Sequence, residues 1–281
     1  MHCEPIKSQF GARVTGLGPV IDLTEAEFLE LRHAFELYSV LVLPDQPMDD
    51  NQQIAFSERF GPLERTISSN PAGGTAFARQ SNIDIKTGQA IPPDDHRMMY
   101  QKANMLWHAD STFKATQSLC SILSAREVPE EGGATEFAST CSVYERLSKS
   151  EQAELGHLEV KHDIIYSRQI VGFEFTQKQR EEMPPVRHPL VQTNPVTGRK
   201  SLLIGAHAKC IVGWPFEKGR ALLDRLESMA IEPDNTFSHS WKTGDLIVWD
   251  NRSALHRATP YDTVKYRRLM QRTTVSLAVN S

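Results

Sequence analysis

His108-Ala109-Asp110 sets an imidazole and a carboxylate two residues apart. On an extended strand this spacing turns both side chains to one face, where they can converge on one metal ion. The spacing is weak evidence alone, because it recurs at His157-Leu158-Glu159. His157 follows a polar helix and precedes Val160-Lys161-His162-Asp163, which offers no further ligand, so a surface or hinge position is expected for it. His108 stands between apolar residues and a Ser/Thr stretch, which suits the mouth of a barrel. The segment Trp241–Arg257 strengthens that assignment. A Gly244-Asp245 turn leads into a buried strand, a polar turn follows, and a second short strand presents His256. Two imidazoles and one carboxylate leave three positions on one face of an octahedral metal open. That arrangement suits non-haem Fe(II) binding both a co-substrate and O₂.

Downstream come Arg267, Arg268 and Arg272. An arginine fork can hold both oxygens of a co-substrate carboxylate. By strand parity Arg268 and Arg272 share a face with Met270 between them, and Arg267 points the other way. A solvated strand face accounts for the same parity.

The chain has 281 residues and a mass of 31.6 kDa, enough for one substantial core or two small ones. Apolar residues make up 40% and charged residues 23%, which excludes a disordered chain, a collagen-like fibre and a coiled coil. A net charge of −4 gives no support to nucleic acid or an anionic membrane as partner. The apolar run Val40-Leu41-Val42-Leu43 is far too short to span a bilayer. No secretory signal is visible at the N-terminus, and a cytoplasmic protein is expected. Cys3, Cys120, Cys141 and Cys210 form no C-x-x-C pair and are expected to be free thiols.

Thr24 and Glu27 form a capping box for a helix over Glu25–Tyr38, with Phe28, Leu31 and Phe35 at helical spacing. Ser39–Leu43 is expected to be a buried strand, and a short helix follows Asp50 and ends at Gly61-Pro62. From 64 to 102 the pattern fades, marked by loop signals at 68–71, 73–74 and 92–95. This span is a candidate lid or an ordinary insertion. Further helices are expected over Val143–Leu155 and Glu217–Ala230. Strands are expected at Met105–His108, Ser118–Ser124, Val186–Thr193, Ser201–Ile204, Asp245–Asp250 and Met270–Leu277. Many short strands with helices at both ends predict a mainly β barrel or sandwich in one domain, residues 1–281. No G-x-G-x-x-G, Walker loop or G-x-S-x-G is present.

His108-Ala109-Asp110, Thr135 in Gly132-Gly133-Ala134-Thr135, and Trp249-Asp250-Asn251-Arg252 with His256 and the Arg268/Arg272 pair carry a family likeness. The chain resembles the Fe(II)/2-oxoglutarate-dependent dioxygenases of the taurine and 2,4-dichlorophenoxyacetate type. Thr135 follows His108 by 27 residues, the family's usual spacing. Gln52–Phe56, Phe60–Glu64, Met183–Val186, Gly198–Lys200 and Ile204–Ala208 look closer to the phenoxyacetate branch. The resemblance implies a double-stranded β-helix (jelly-roll, cupin-like) core with flanking helices. It implies His108, Asp110 and His256 as iron ligands, and Thr135 and Arg268 on the distal carboxylate of 2-oxoglutarate. Arg272 would grip the anionic group of the primary substrate, with Asn104 close to both ligands; His207 either lines that pocket or is structural.

The interval from His256 to the co-substrate arginine is one residue longer than usual, so Arg267 stays a candidate beside Arg268. Arg268 is preferred because it keeps a four-residue gap to Arg272. Early-loop basic residues have only Arg65 and Lys86 as stand-ins. The implied reaction consumes 2-oxoglutarate and O₂, releases succinate and CO₂, and hydroxylates a small anionic substrate. For an aryloxyacetate, the hydroxylated carbon beside the ether oxygen collapses to a phenol and glyoxylate. Self-association is expected. The rival readings are an alkylsulfonate (taurine) dioxygenase releasing sulfite, a zinc-binding barrel hydrolase or isomerase, and a non-catalytic barrel that binds a small acid.

Overall fold

The computed structural model describes residues 1–67, 74–84 and 87–277. From the N-terminus the elements are β1 (His2–Lys7), β2 (Phe10–Thr15), α1 (Glu25–Tyr38), β3 (Val40–Leu43), α2 (Asp50–Glu58), β4 (Phe77–Ser81), α3 (His96–Lys102), β5 (Ser118–Glu127) and β6 (Thr135–Ser139). There follow α4 (Thr140–Arg146), α5 (Lys149–Leu155), β7 (Glu159–His162), α6 (Ile164–Gln169), α7 (Gln177–Glu182), β8 (Val186–Pro189), β9 (Val191–Thr193), β10 (Lys200–Leu202) and β11 (Ala208–Ile211). The chain closes with α8 (Phe216–Ala230), β12 (Thr236–His239), β13 (Leu246–Asp250), β14 (Ala254–Ala258) and β15 (Leu269–Ser276).

The larger sheet runs β1-β2-β3-β13-β5-β15-β4, and smaller sheets are β12-β6-β14, β11-β7-β8 and β10-β9. Strand β13 shows why the two layers form. Its residues Leu246 and Val248 pack outward with Phe28, Leu31, Phe35 and Phe56 of α1 and α2. Its alternate residues Ile247 and Trp249 pack inward with Phe137 of β6, Phe237 of β12 and Ala254 of β14. Period-two alternation of fully apolar residues thus fills two cores from one strand. Each large buried side chain contributes about 1.5–3 kcal/mol. The outer face of β6 and β14 is covered by Val143 and Tyr144 of α4 and Leu223 and Leu226 of α8. This is the jelly-roll core that the family resemblance implies, wrapped by helices.

The capping box at Thr24 and Glu27 is present, and α1 spans the expected residues. Four departures have local causes. The helix expected over Val143–Leu155 breaks at Leu147, because Ser148 and Glu151 build their own capping box and start α5. The strand expected over Val186–Thr193 breaks at Leu190, which is fully buried, and its halves join different sheets. Met105–His108 is no strand: a 3₁₀ turn ends at Met105, and His108 makes only one bridge, to His256. The span 64–102 is not patternless, since it contributes β4 and α3. Strand β4 (FARQS) pairs on one side only, with β15, and therefore needs no hydrophobic alternation. None of the four cysteines is paired; Cys120 and Cys141 are buried. No helix among the described residues is long and apolar enough to cross a membrane.

Candidate active site

The backbone brings the two histidines side by side. His108 donates its N–H to the His256 carbonyl at 3.1 Å, and His256 donates back at 2.8 Å. Their ring centroids lie 4.2 Å apart. Asp110 completes the group: His108 Nε2 is 3.9 Å from its Oδ1, and His256 Nε2 is 3.6 Å from its Oδ2. One ligand atom from each residue fits within 4.8 Å of the others, and all three side chains are buried. His108 Nδ1 contacts the Leu106 carbonyl at 2.7 Å, which turns Nε2 inward.

Polar residues inside apolar strands hold the carboxylate. Ser121 donates to Asp110 Oδ2 at 2.7 Å, and Asn251 Nδ2 donates to Ser121 Oγ at 3.0 Å. Asn251 Oδ1 accepts from the Asp110 backbone N–H at 3.1 Å and from Trp249 Nε1 at 3.0 Å. Arg272 Nη1 donates to Asp110 Oδ1. The next residue, Ser111, has a left-handed backbone with φ 58 and donates its hydroxyl to Glu64 Oε2 at 2.7 Å. Lys114 Nζ meets the same oxygen at 2.5 Å.

Burial sets the protonation. It pulls the His108 imidazole down to about 4, against the opposing pull of Asp110, and it holds His256 well below its usual value. Burial alone raises a carboxyl, but Arg272, followed by His256 and His108, holds Asp110 far below the usual carboxylate range. Two neutral imidazoles and one ionised carboxylate are the forms a divalent cation binds. With no thiolate in the set, the donors fit Fe(II).

Two cavities meet at these residues. One, about 340 Å³, is bordered by Thr135, Arg268, Trp249, His108 and His256. Trp241 Nε1 donates to Thr135 Oγ1 at 3.0 Å. That occupies an acceptor site and leaves the threonine hydroxyl hydrogen free to donate. Arg268 Nη1 donates to the Gln80 carbonyl at 3.0 Å, while its Nε is buried without a partner. Burial lowers this guanidinium to about 10. Gly133, with φ +66, lets the backbone pass: a Cβ there would stand 2.8 Å from Pro129 Cγ and 3.5 Å from Arg268 Nε. Arg267 points away, donating to Glu127 Oε1 at 2.8 Å and to the Gly88 carbonyl at 3.1 Å.

The other cavity, about 640 Å³, is bordered by His108, Asp110, His207, Asn104, Arg168 and Arg272, with Ile67, Tyr100 and Phe113 as an apolar wall. Asn104 Nδ2 donates to Gln80 Oε1 at 2.6 Å, and His207 Nδ1 meets Ser167 Oγ at 2.8 Å. The His207 ring stands 5.9 Å from His108, centroid to centroid. A Cβ on Gly205 would lie 2.9 Å from the Trp107 carbonyl, so only glycine lets the His207 turn approach. Arg65 also borders this cavity and donates to the Gly74 carbonyl at 3.0 Å. Lys86 lies outside the described residues. His157 is exposed and away from the cluster.

Sequence reasoning missed Ser121, Asn251, Trp241, Gln80 and Arg168 as parts of the site. Ser121 carried a signal, a polar residue in the apolar run of β5. Asn251 and Trp241 lay inside the segment that presents His256.

The sequence matches the family described as taurine catabolism dioxygenase TauD, TfdA family, over residues 2–274. The chain belongs to that family. It is 39% identical over 286 residues to the alpha-ketoglutarate-dependent 2,4-dichlorophenoxyacetate dioxygenase of Cupriavidus pinatubonensis, covering 98% of each chain. It is 38% identical over 271 residues to the (S)-phenoxypropionate/alpha-ketoglutarate-dioxygenase of Sphingobium herbicidovorans, covering 94% of this chain and 91% of the other. The crystal structure of AAD-2 with Mn(II) and N-oxalylglycine superposes with a TM-score of 0.91 at 35% identity, covering 99% of both chains. As a family member the protein is a non-haem iron dioxygenase using Fe(II), 2-oxoglutarate and O₂, and the buried His-Asp-His group fits that cofactor set.

Proposed function

We propose that the protein hydroxylates a small carboxylic acid of the aryloxyacetate class, cleaving its ether to a phenol and glyoxylate. The observation that carries this is the meeting of two cavities at one His-Asp-His group. One cavity offers a hydroxyl and a guanidinium, and the other pairs excess positive charge with an apolar wall. His108, Asp110 and His256 would hold Fe(II), which supplies the oxidising power when O₂ and 2-oxoglutarate are present. Thr135 would donate its hydroxyl, and Arg268 its fork, to the distal carboxylate of 2-oxoglutarate. Arg272 and Asn104 border both cavities, and His207 borders the larger; they would orient the primary substrate. Ile67, Tyr100 and Phe113 would pack on its ring and exclude water. Residues 64–102 supply Ile67, Gln80 and Tyr100 to these walls, which supports a covering role for that span. The domain would comprise residues 1–281. The unpaired cysteines support a reducing, cytoplasmic setting.

The zinc hydrolase and acid-binding readings leave Thr135 and buried Arg268 without a use. The test is anaerobic reconstitution with Fe(II) and 2-oxoglutarate, read by charge-transfer absorption, then addition of phenoxyacetate and O₂. Succinate, phenol and glyoxylate in equal amounts are expected. Sulfite from taurine with no phenol from phenoxyacetate assigns the alkylsulfonate reaction instead. Absence of the absorption band removes the site assignment.

A further inference from the structure

Arg168 lies in the last turn of the short helix α6 and is 6% exposed. Its Nε is buried without a hydrogen-bond partner, and among the described residues its guanidinium makes no ion pair. Arg268 and the half-buried Arg272 share an orphaned Nε, but Arg252, Arg268 and Arg272 each have an acceptor for their terminal nitrogens. Arg252 reaches Asp250 at 2.8 Å and Glu36 at 2.7 Å, Arg272 donates to Asp110, and Arg268 donates to the Gln80 carbonyl. A guanidinium cannot escape its charge by losing a proton. Leaving it largely buried with no counter-charge is expensive. The Tyr100 ring, 4.5 Å from Arg168 Cζ, offsets only part of that cost.

The placement of Arg168 is specific. It borders the larger cavity with His108, Asp110 and Arg272. Its neighbour Ser167 meets His207, whose ring faces His108, so α6 is keyed to the metal group. Asp163 starts α6 by accepting from Ile165 and Tyr166 N–H and is paired with Lys209 at 2.9 Å. Around the cavity, Arg65, Arg79, Lys114, Arg168 and Arg272 outnumber Glu64 and Asp110. Glu64 is already met by Lys114 and Ser111, and Asp110 by Arg272.

We infer that Arg168 is the anchor for the anionic group of the primary substrate. Its fork takes both oxygens while Tyr100 backs its other face, and Arg272 stays engaged with Asp110. This rests on the proposal above that the primary substrate is an acid. The anchored group puts the carbon beside the carboxylate next to His108 and Asp110, and leaves Phe113 and Ile67 for the ring.

The experiment measures equilibrium binding by calorimetry to full-length enzyme loaded with Mn(II) and N-oxalylglycine. The probes are phenoxyacetate, taurine and the neutral phenoxyacetamide, and the proteins are wild type, Arg168→Gln and Arg168→Lys. Arg168→Gln is expected to weaken the acid about 100-fold, because a desolvated charge-assisted pair is lost. Phenoxyacetamide and N-oxalylglycine should move less than about 3-fold, and Arg168→Lys should fall between. Acid binding by Arg168→Gln within about 3-fold of wild type overturns the inference. Should Arg168→Gln fail to bind N-oxalylglycine, Arg168→Lys decides, and unchanged acid affinity there overturns the inference equally. Wild type that binds taurine and not phenoxyacetate overturns the aryloxyacetate proposal alone, and the same variants then judge Arg168 with taurine. Wild type that binds no acid overturns both.

Discussion

Arg272 donates a hydrogen bond to one oxygen of Asp110, while the other oxygen accepts from Ser121 and faces His256 at 3.6 Å. The carboxylate proposed as a metal ligand is therefore ionised and oriented before any metal arrives. Beside neutral imidazoles, this means a cation displaces almost no protons on binding.

Metal should stabilise the fold through these ligands. At about 100 times its dissociation constant, a cation that binds only the folded state adds about 2.7 kcal/mol. For a chain of this size that is an increase in Tm of about 4–8 °C. Mn(II) should produce it in metal-free wild type and fail to do so in Asp110→Ala. Differential scanning calorimetry measures both, and an undiminished shift in the variant rejects Asp110 as a ligand.

The smaller cavity makes a separate forecast. Arg268→Leu should raise the 2-oxoglutarate concentration needed for half-maximal succinate formation by about 100-fold, since two charge-assisted bonds are lost. Thr135→Val should raise it by about 10-fold. Arg267→Leu should leave it unchanged, because that side chain pairs with Glu127 on the surface. Titration of the co-substrate at saturating Fe(II) separates the three.

His162 gives a pH dependence outside the metal group. It is fully buried, neither ring nitrogen has a partner, and burial, with His188 nearby, pulls it down to about 3 from 6.5. A depressed histidine is neutral in the folded chain and protonates first in the unfolded one. The unfolded state therefore holds the extra proton between pH 6.5 and about 3, and stability falls as the pH drops through that window. One such proton contributes a slope of about 1.4 kcal/mol per pH unit. His162→Phe should remove one proton from the slope measured by urea unfolding and cost nothing at neutral pH. An unchanged acid slope contradicts this.

A charged staple under the turn before His256 should be costly to break. Arg252 is buried between Asp250 and Glu36, and its proton is held more tightly than usual despite burial. Arg252→Ala takes from Asp250 its ion-pair partner and leaves Glu36 with Arg32 and Asn194 alone, and should cost about 3–5 kcal/mol by denaturant unfolding. Adding Glu36→Ala to Arg252→Ala should restore part of that loss. Strict additivity in the double-mutant cycle is the outcome that refutes the staple.

The grouping of His108, Asp110 and His256 was legible through the family resemblance, since their spacing alone recurs elsewhere, and the two strands of the His256 hairpin were legible because apolar runs mark buried strands. The helix α1 was legible from its capping box. The edge strands β1 and β4 were not, since strands paired on one side only need no apolar alternation. The break at Leu147 was hidden because apolar periodicity continues across two short helices. Arg168 gave no sign in sequence: an arginine in an ordinary helical stretch becomes informative only when its burial and lack of a counter-charge are seen.

Ser111 holds a left-handed backbone next to Asp110, a conformation that costs a side-chain-bearing residue about 1–2 kcal/mol. Its hydroxyl is tied to Glu64, and Glu64 is tied to Lys114, whose side chain is 26% exposed. The aim of the buried Asp110 carboxylate is thus steadied by a chain of contacts that ends at the solvent boundary. Dissolved salt, by screening that last link, can reach a carboxylate that is itself only 4% exposed.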